Sequence, residues 1–90
     1  MERVNIKVSG SVQGVLYRSD TASIAQKLGL VGWVKNMPDG SVEIVAEGDN
    51  EELGKLIQWC WQGPSFAKVE DVKLKWQKAK GEFRDFDITY

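Results

Sequence analysis

Polar and apolar residues alternate from the start of the chain. Val4, Ile6 and Val8 fall between Arg3, Asn5, Lys7 and Ser9, and a period of two predicts a strand with one face buried. From Tyr17 to Leu28 the period lengthens. Thr21, Ala22, Ala25 and Leu28 share one helical face, and Gly29 stands where a left-handed helix stop belongs. Val31–Asn36 predicts a second strand. Ser41–Glu47 predicts a third, with Val42, Ile44 and Ala46 on one face. Between them, Met37-Pro38-Asp39-Gly40 has the proline and glycine placement of a tight turn, so the pair predicts a hairpin. Asp49-Asn50-Glu51-Glu52 has the spacing of a capping box, with Asp49 as N-cap and Glu52 three residues on. Leu53, Leu56, Ile57 and Cys60 follow at the spacing of a helical stripe, which Gly63-Pro64 ends. Ala67 and Val69 open another alternation that resumes out of phase at Val72, Leu74 and Trp76. The slip at Glu70-Asp71 predicts a β-bulge. Lys78–Gly81 reads as a polar turn, and Phe86, Ile88 and Tyr90 alternate in a short last strand.

The predicted order is β-α-β-β-α-β with one added C-terminal strand. It specifies an α+β, ferredoxin-like sandwich: an antiparallel sheet with two helices on one face. Ninety residues are expected to make one domain, 1–90. This plan hosts many unrelated activities, so function must be read from particular residues.

Composition narrows the classes. The net charge of −1 and the absence of a basic run argue against nucleic acid and membrane surfaces as partners. There is no histidine, which removes His-based triads, His metal ligands and the commonest general base. The single cysteine, Cys60, permits neither an internal disulfide nor a zinc motif and fits a reducing, cytoplasmic setting. No apolar run approaches membrane-spanning length. Four tryptophans are many for this length, and they are expected to help fill the core.

Chemistry has two candidate locations. The first is Gly10–Arg18, GSVQGVLYR, at the junction of the first strand and the first helix. Glycines there allow backbone amides to turn inward around an anion, and the helix adds its unpaired N–H groups. Arg18 in the first helical turn opposes the helix dipole, a conflict that a bound anion removes. The residues alone favour a glycine-bearing turn that ends on a surface arginine. The second location is Gly32-Trp33-Val34-Lys35-Asn36. Asn36, ending a strand before a turn, reads on its own as a structural partner of nearby backbone. Lys35 is expected in solvent, and Asp39 in service of the turn. Trp59, Cys60 and Trp61, beside a helical apolar stripe, are expected in core or edge packing, and Phe86 and Tyr90 are expected to face the core or a strand neighbour. Glu51 and Glu52 suit a helix start.

Taken together, the two segments resemble the acylphosphatase family over nearly the whole chain. The pattern G-x-V-Q-G-V-x-[aromatic]-R is met by Gly10, Val12, Gln13, Gly14, Val15, Tyr17 and Arg18. A second pattern is met by Gly32, Trp33, Val34, Lys35, Asn36, Gly40, Val42 and Gly48. Tyr17 stands where phenylalanine is more usual. The resemblance implies a phosphate held by the backbone amides of Gln13, Gly14, Val15, Leu16, Tyr17 and Arg18 and by the Arg18 side chain. It implies a water oriented by Asn36. The implied reaction cleaves the carboxyl–phosphate bond of a small acyl phosphate, giving a carboxylate and inorganic phosphate, with no metal or cofactor. A monomer is expected. Two rivals share the fold plan: a non-catalytic anion-binding module, and an RNA-binding sheet. The second lacks the charge and the aromatic strand motif it would need.

Overall fold

The first alternation becomes β1, Glu2–Ser11, in a computed structural model that describes every residue from Met1 to Tyr90. The other elements are α1 (Tyr17–Lys27), β2 (Val31–Asn36), β3 (Val42–Gly48), α2 (Asn50–Gln62), β4 (Lys68–Lys78) and β5 (Phe86–Thr89). They form one five-stranded sheet in the order β4-β1-β3-β2-β5. Val4, Ile6 and Val8 are fully buried, in one cluster with Ala22 and Ala25 of α1 and Leu53, Leu56 and Cys60 of α2. Both helices therefore cover the same face of the sheet, as the element order predicts.

Several local predictions hold. Helix α1 closes with Gly29 at φ 72°; its N–H donates to Gln26 O and that of Leu30 to Ala25 O. This pair of bonds satisfies carbonyls that the helix end would otherwise leave open. In the hairpin turn, Asp39 Oδ1 accepts the Ser41 N–H at 3.0 Å. The bulge is present as well: Ser9 pairs with Asp71 but Gly10 with Val69, which leaves Glu70 as the extra residue. Gly10 has φ 125°, and a Cβ there would overlap the Lys68 carbonyl, so this crossing needs glycine.

Three expectations are corrected. The sheet is mixed, because β5 pairs parallel with β2. None of the four tryptophans is buried; Trp61 and Trp76 are about half exposed, while Trp33 and Trp59 are half-buried. The buried cluster between sheet and helices has Tyr17 and Phe86 as its aromatic members, and of the tryptophans Trp59 alone packs against its margin. Asp49 is the N-cap of α2, but its carboxylate makes no bond to the helix. Glu52 instead lies 3.6 Å from Lys55.

The parallel pairing has a visible cause. Strands β4 and β5 lie on opposite edges, so residues 79–85 must cross the end of the sheet where β1 begins and β3 finishes. Arg3 and Glu47, neighbours on those two strands, hold the crossing segment. Glu47 is buried and accepts from Arg3 Nε at 2.7 Å, Lys80 N at 2.9 Å and Gly81 N at 3.2 Å. Arg3 Nη2 donates to Glu82 at 2.6 Å, and its guanidinium lies 5.0 Å from the Phe83 ring centre. Burial pushes the Glu47 carboxyl upward, but the bonds from Lys80, Arg3 and Gly81 outweigh it and hold the acid below its usual range. Stability from this group is therefore complete above the ordinary glutamate pKa and is lost as pH falls through the lower folded value. Glu47→Ala is expected to cost about 3 kcal/mol at pH 7, the low end for breaking a buried pair, since Arg3 keeps Glu82. Urea unfolding at pH 7 and pH 3 measures it. The gap between wild type and variant should narrow in acid, and equal midpoints at pH 7 would show that the cluster carries no stability.

Candidate active site

Strands β1, β2 and β5 run in the same direction, so their C-terminal ends meet at the edge opposite the Arg3–Glu47 cluster. The loop between β1 and α1 leaves from this edge and is pinned at both ends. Val12 is fully buried. The Gln13 side chain donates from Nε2 to Met37 O and Ser41 O, each at 2.8 Å, and so ties the loop to the base of the β2–β3 hairpin. At the far end Tyr17 is buried, its ring 5.2 Å from that of Trp59. Its hydroxyl donates to Cys60 O at 2.7 Å, which satisfies a carbonyl in the last turn of α2.

Between the pins the backbone takes a left-handed conformation twice, at Gly14 (φ 75°) and Leu16 (φ 66°). No backbone N–H from Gln13 through Ser19 donates to a backbone carbonyl. A run of free amides at a helix start is a setting for an anion. Arg18 is the second residue of α1. Its Nη1 donates to Thr89 O at 3.3 Å, and its guanidinium carbon lies 4.7 Å from the Tyr90 ring centre.

Asn36 ends β2. Its Oδ1 is buried, and no protein donor reaches it, an arrangement that costs free energy unless a donor is supplied from elsewhere. Arg18 and Asn36 line one pocket of about 250 Å³, together with Gly14, Leu16, Tyr17 and Ile88 among others. Gln13 and Val15 do not line it. Gln13 acts through its side chain as a tie, and Val15 packs against the core.

Over residues 4–88 the chain matches the family model for acylphosphatase. The chain belongs to the acylphosphatase family. It is 50% identical over 88 residues to an acylphosphatase of Pelotomaculum thermopropionicum, covering 98% of this chain and 96% of that one. The crystal structure of an acylphosphatase from Bacillus subtilis superposes with a TM-score of 0.97 at 38% identity, over 100% of both chains. An acylphosphatase structure from Coxiella burnetii gives 0.92 at 37% identity, over 98% of this chain and 93% of that one.

Within this acylphosphatase fold the buried titratable groups near the loop are inert at neutral pH. Burial raises the Tyr17 phenol far above its ordinary range. Burial also pushes the Cys60 thiol up to about 12, against a smaller opposing effect of the Tyr17 hydrogen bond. Neither supplies a base or a nucleophile. No three His, Cys, Asp or Glu side chains come together as a metal site, and no helix is long and apolar enough to cross a membrane.

Sequence reading missed the contribution of β5. Tyr90 was expected against the core or a strand neighbour, yet it is 88% exposed and reaches Arg18. A four-residue strand does not announce its neighbour. Only the parallel register, which sets Thr89 opposite Lys35, brings the chain end beside Asn36.

Proposed function

We propose that the pocket holds an acyl phosphate by its phosphoryl group, between the Gln13–Arg18 amides and the Arg18 side chain, with Asn36 orienting the attacking water. As a member of the acylphosphatase family the chain is a hydrolase acting on acyl phosphates. The observation that carries the mechanism is the shared pocket of Arg18 and Asn36, with free amides along the loop beside it.

The chemistry suits these groups. An acyl phosphate is a mixed anhydride, and its leaving carboxylate is the base of an acid with a pKa of about 4. It departs without a proton, so no general acid is required. Phosphoryl transfer asks the protein chiefly for position and charge stabilisation. Arg18 offers a planar fork to two phosphoryl oxygens. The loop amides bond the third oxygen and draw on the helix dipole. Asn36 is no base at neutral pH, but its buried Oδ1 can accept a bond from water and aim the oxygen at phosphorus. As the new P–O bond forms, the bond to the acyl oxygen breaks and its electron pair leaves on the carboxylate. A phosphoryl oxygen takes the proton of the water. Nothing in this sequence of events requires a metal or a cofactor, and a single chain supplies every group, as a monomer would. The substrate is a small acyl phosphate; neither a nucleic acid nor a membrane is a partner.

A hydrolysis assay on benzoyl phosphate tests this reading. Turnover should be inhibited competitively by inorganic phosphate and unchanged by a chelator. Phosphate binding without cleavage would leave an anion-binding module in place of an enzyme, and loss of activity with chelator would overturn the metal-free mechanism.

A further inference from the structure

Phosphate recognition uses only part of this pocket. Leu16 is the chain's one non-glycine residue with positive φ, a conformation that a leucine side chain disfavours. Its side chain is also 72% exposed, so burial does not compensate for the strain. Tyr90 is more exposed still, with its ring centre 4.7 Å from the Arg18 guanidinium carbon. Both line the pocket with Arg18 and Asn36, and half-buried Ile88 lines it too. The other large exposed hydrophobics (Met1, Trp61, Phe66, Leu74 and Trp76) lie outside it.

Phosphoryl oxygens gain no hydrogen bonds from the side chains of Leu16 and Ile88 or from the Tyr90 ring. The scissile bond, however, joins the phosphate to an acyl carbon, so the acyl substituent must emerge within a few bond lengths of the cradle. Arg18 is the only charged side chain lining the pocket, and the phosphate engages it. The lining offers no second charged side chain to pair with a charged acyl tail.

We propose that Leu16, Ile88 and Tyr90 form the acyl subsite and that the preferred substrate carries an apolar, uncharged acyl group. This rests on the acyl phosphate reading above and adds the substrate class to it. The arrangement favours longer aliphatic or aromatic acyl groups over acetyl, through ground-state contact as well as in the transition state.

Acetyl, butyryl and hexanoyl phosphate test the proposal with the full chain, because their leaving acids are of nearly equal strength. From acetyl to hexanoyl, kcat/KM should rise about tenfold, chiefly through KM, as added methylenes leave water. Tyr90→Ser should flatten the series to within about twofold. Tyr90→Leu keeps an apolar wall but loses the ring over Arg18, so it should retain the gradient even if overall turnover changes. That variant separates an acyl contact from an effect relayed through Arg18. A flat wild-type series, or a gradient untouched by Tyr90→Ser, overturns the subsite. Failure to cleave any of the three would instead overturn the hydrolase reading beneath it.

Discussion

Arg18→Ala should lower kcat/KM for an acyl phosphate by about a thousandfold or more, the scale of a lost arginine at a phosphoryl-transfer centre. It should also weaken inhibition by inorganic phosphate, because the fork contributes to the ground state as well as to the transition state. Stability should hardly move. A cation in the first turn of α1 opposes the helix dipole, and its removal returns about 0.3–1 kcal/mol. The lost contact with the exposed Tyr90 ring costs about 0.5–1 kcal/mol, and the bond to Thr89 O is long at 3.3 Å. The two effects nearly cancel. Arg18→Lys keeps the charge but not the planar fork, and should fall between wild type and Ala. Single-turnover kinetics, phosphate inhibition and urea unfolding on the three proteins check this. An Arg18→Ala enzyme with phosphate inhibition and turnover near wild type would remove Arg18 from the site.

How much of this was legible in the sequence depends on range. Val4, Ile6 and Val8 announce β1 because alternation is local, and the phase slip at Glu70-Asp71 announces the bulge for the same reason. The loop and Asn36 each favoured a structural reading when taken alone, and only their joint resemblance to a family singled them out; the structure brings Arg18 and Asn36 to one pocket. What failed was pairing across long separations. Arg3 and Glu47 alternate onto the solvent face of their strands, and nothing nearby says that residues 79–85 will fold over them. The same crossing turns β5 parallel to β2 and brings Tyr90 to Arg18. The tryptophans were misjudged by reasoning from composition, since a residue count says nothing about which face of a strand holds Trp33 or how near an edge Trp76 lies. The Asp49 side-chain cap failed at a finer level: the N-cap position is right, but the carboxylate does not make the bond.

The pocket also gathers residues that each break a local rule. Leu16 is left-handed without being glycine, Arg18 is a cation at a helix start, and Asn36 buries an unpaired acceptor. Conflicts of this kind concentrate where a structure is organised for a ligand instead of for stability alone.

Asn36→Ala turns that conflict into a measurement. It removes the buried Oδ1 together with the cost of leaving it unpaired, about 1–3 kcal/mol for such a group, against the loss of a few packing contacts. Stability should stay level or rise by about 1 kcal/mol. Turnover should fall by about a hundredfold or more, the cost of a misplaced attacking group, and the fall should sit in kcat. Inorganic phosphate should bind as before, because the loop amides and Arg18 are untouched. Asn36→Asp keeps the shape but sets a negative charge beside the phosphate, so it should weaken phosphate binding as well as turnover. The two variants therefore separate orientation of water from tolerance of charge. Near-normal hydrolysis by Asn36→Ala would sink the role assigned to the amide. A lower kcat with unchanged phosphate inhibition and undiminished stability is the pattern expected of a residue whose work is to hold the water.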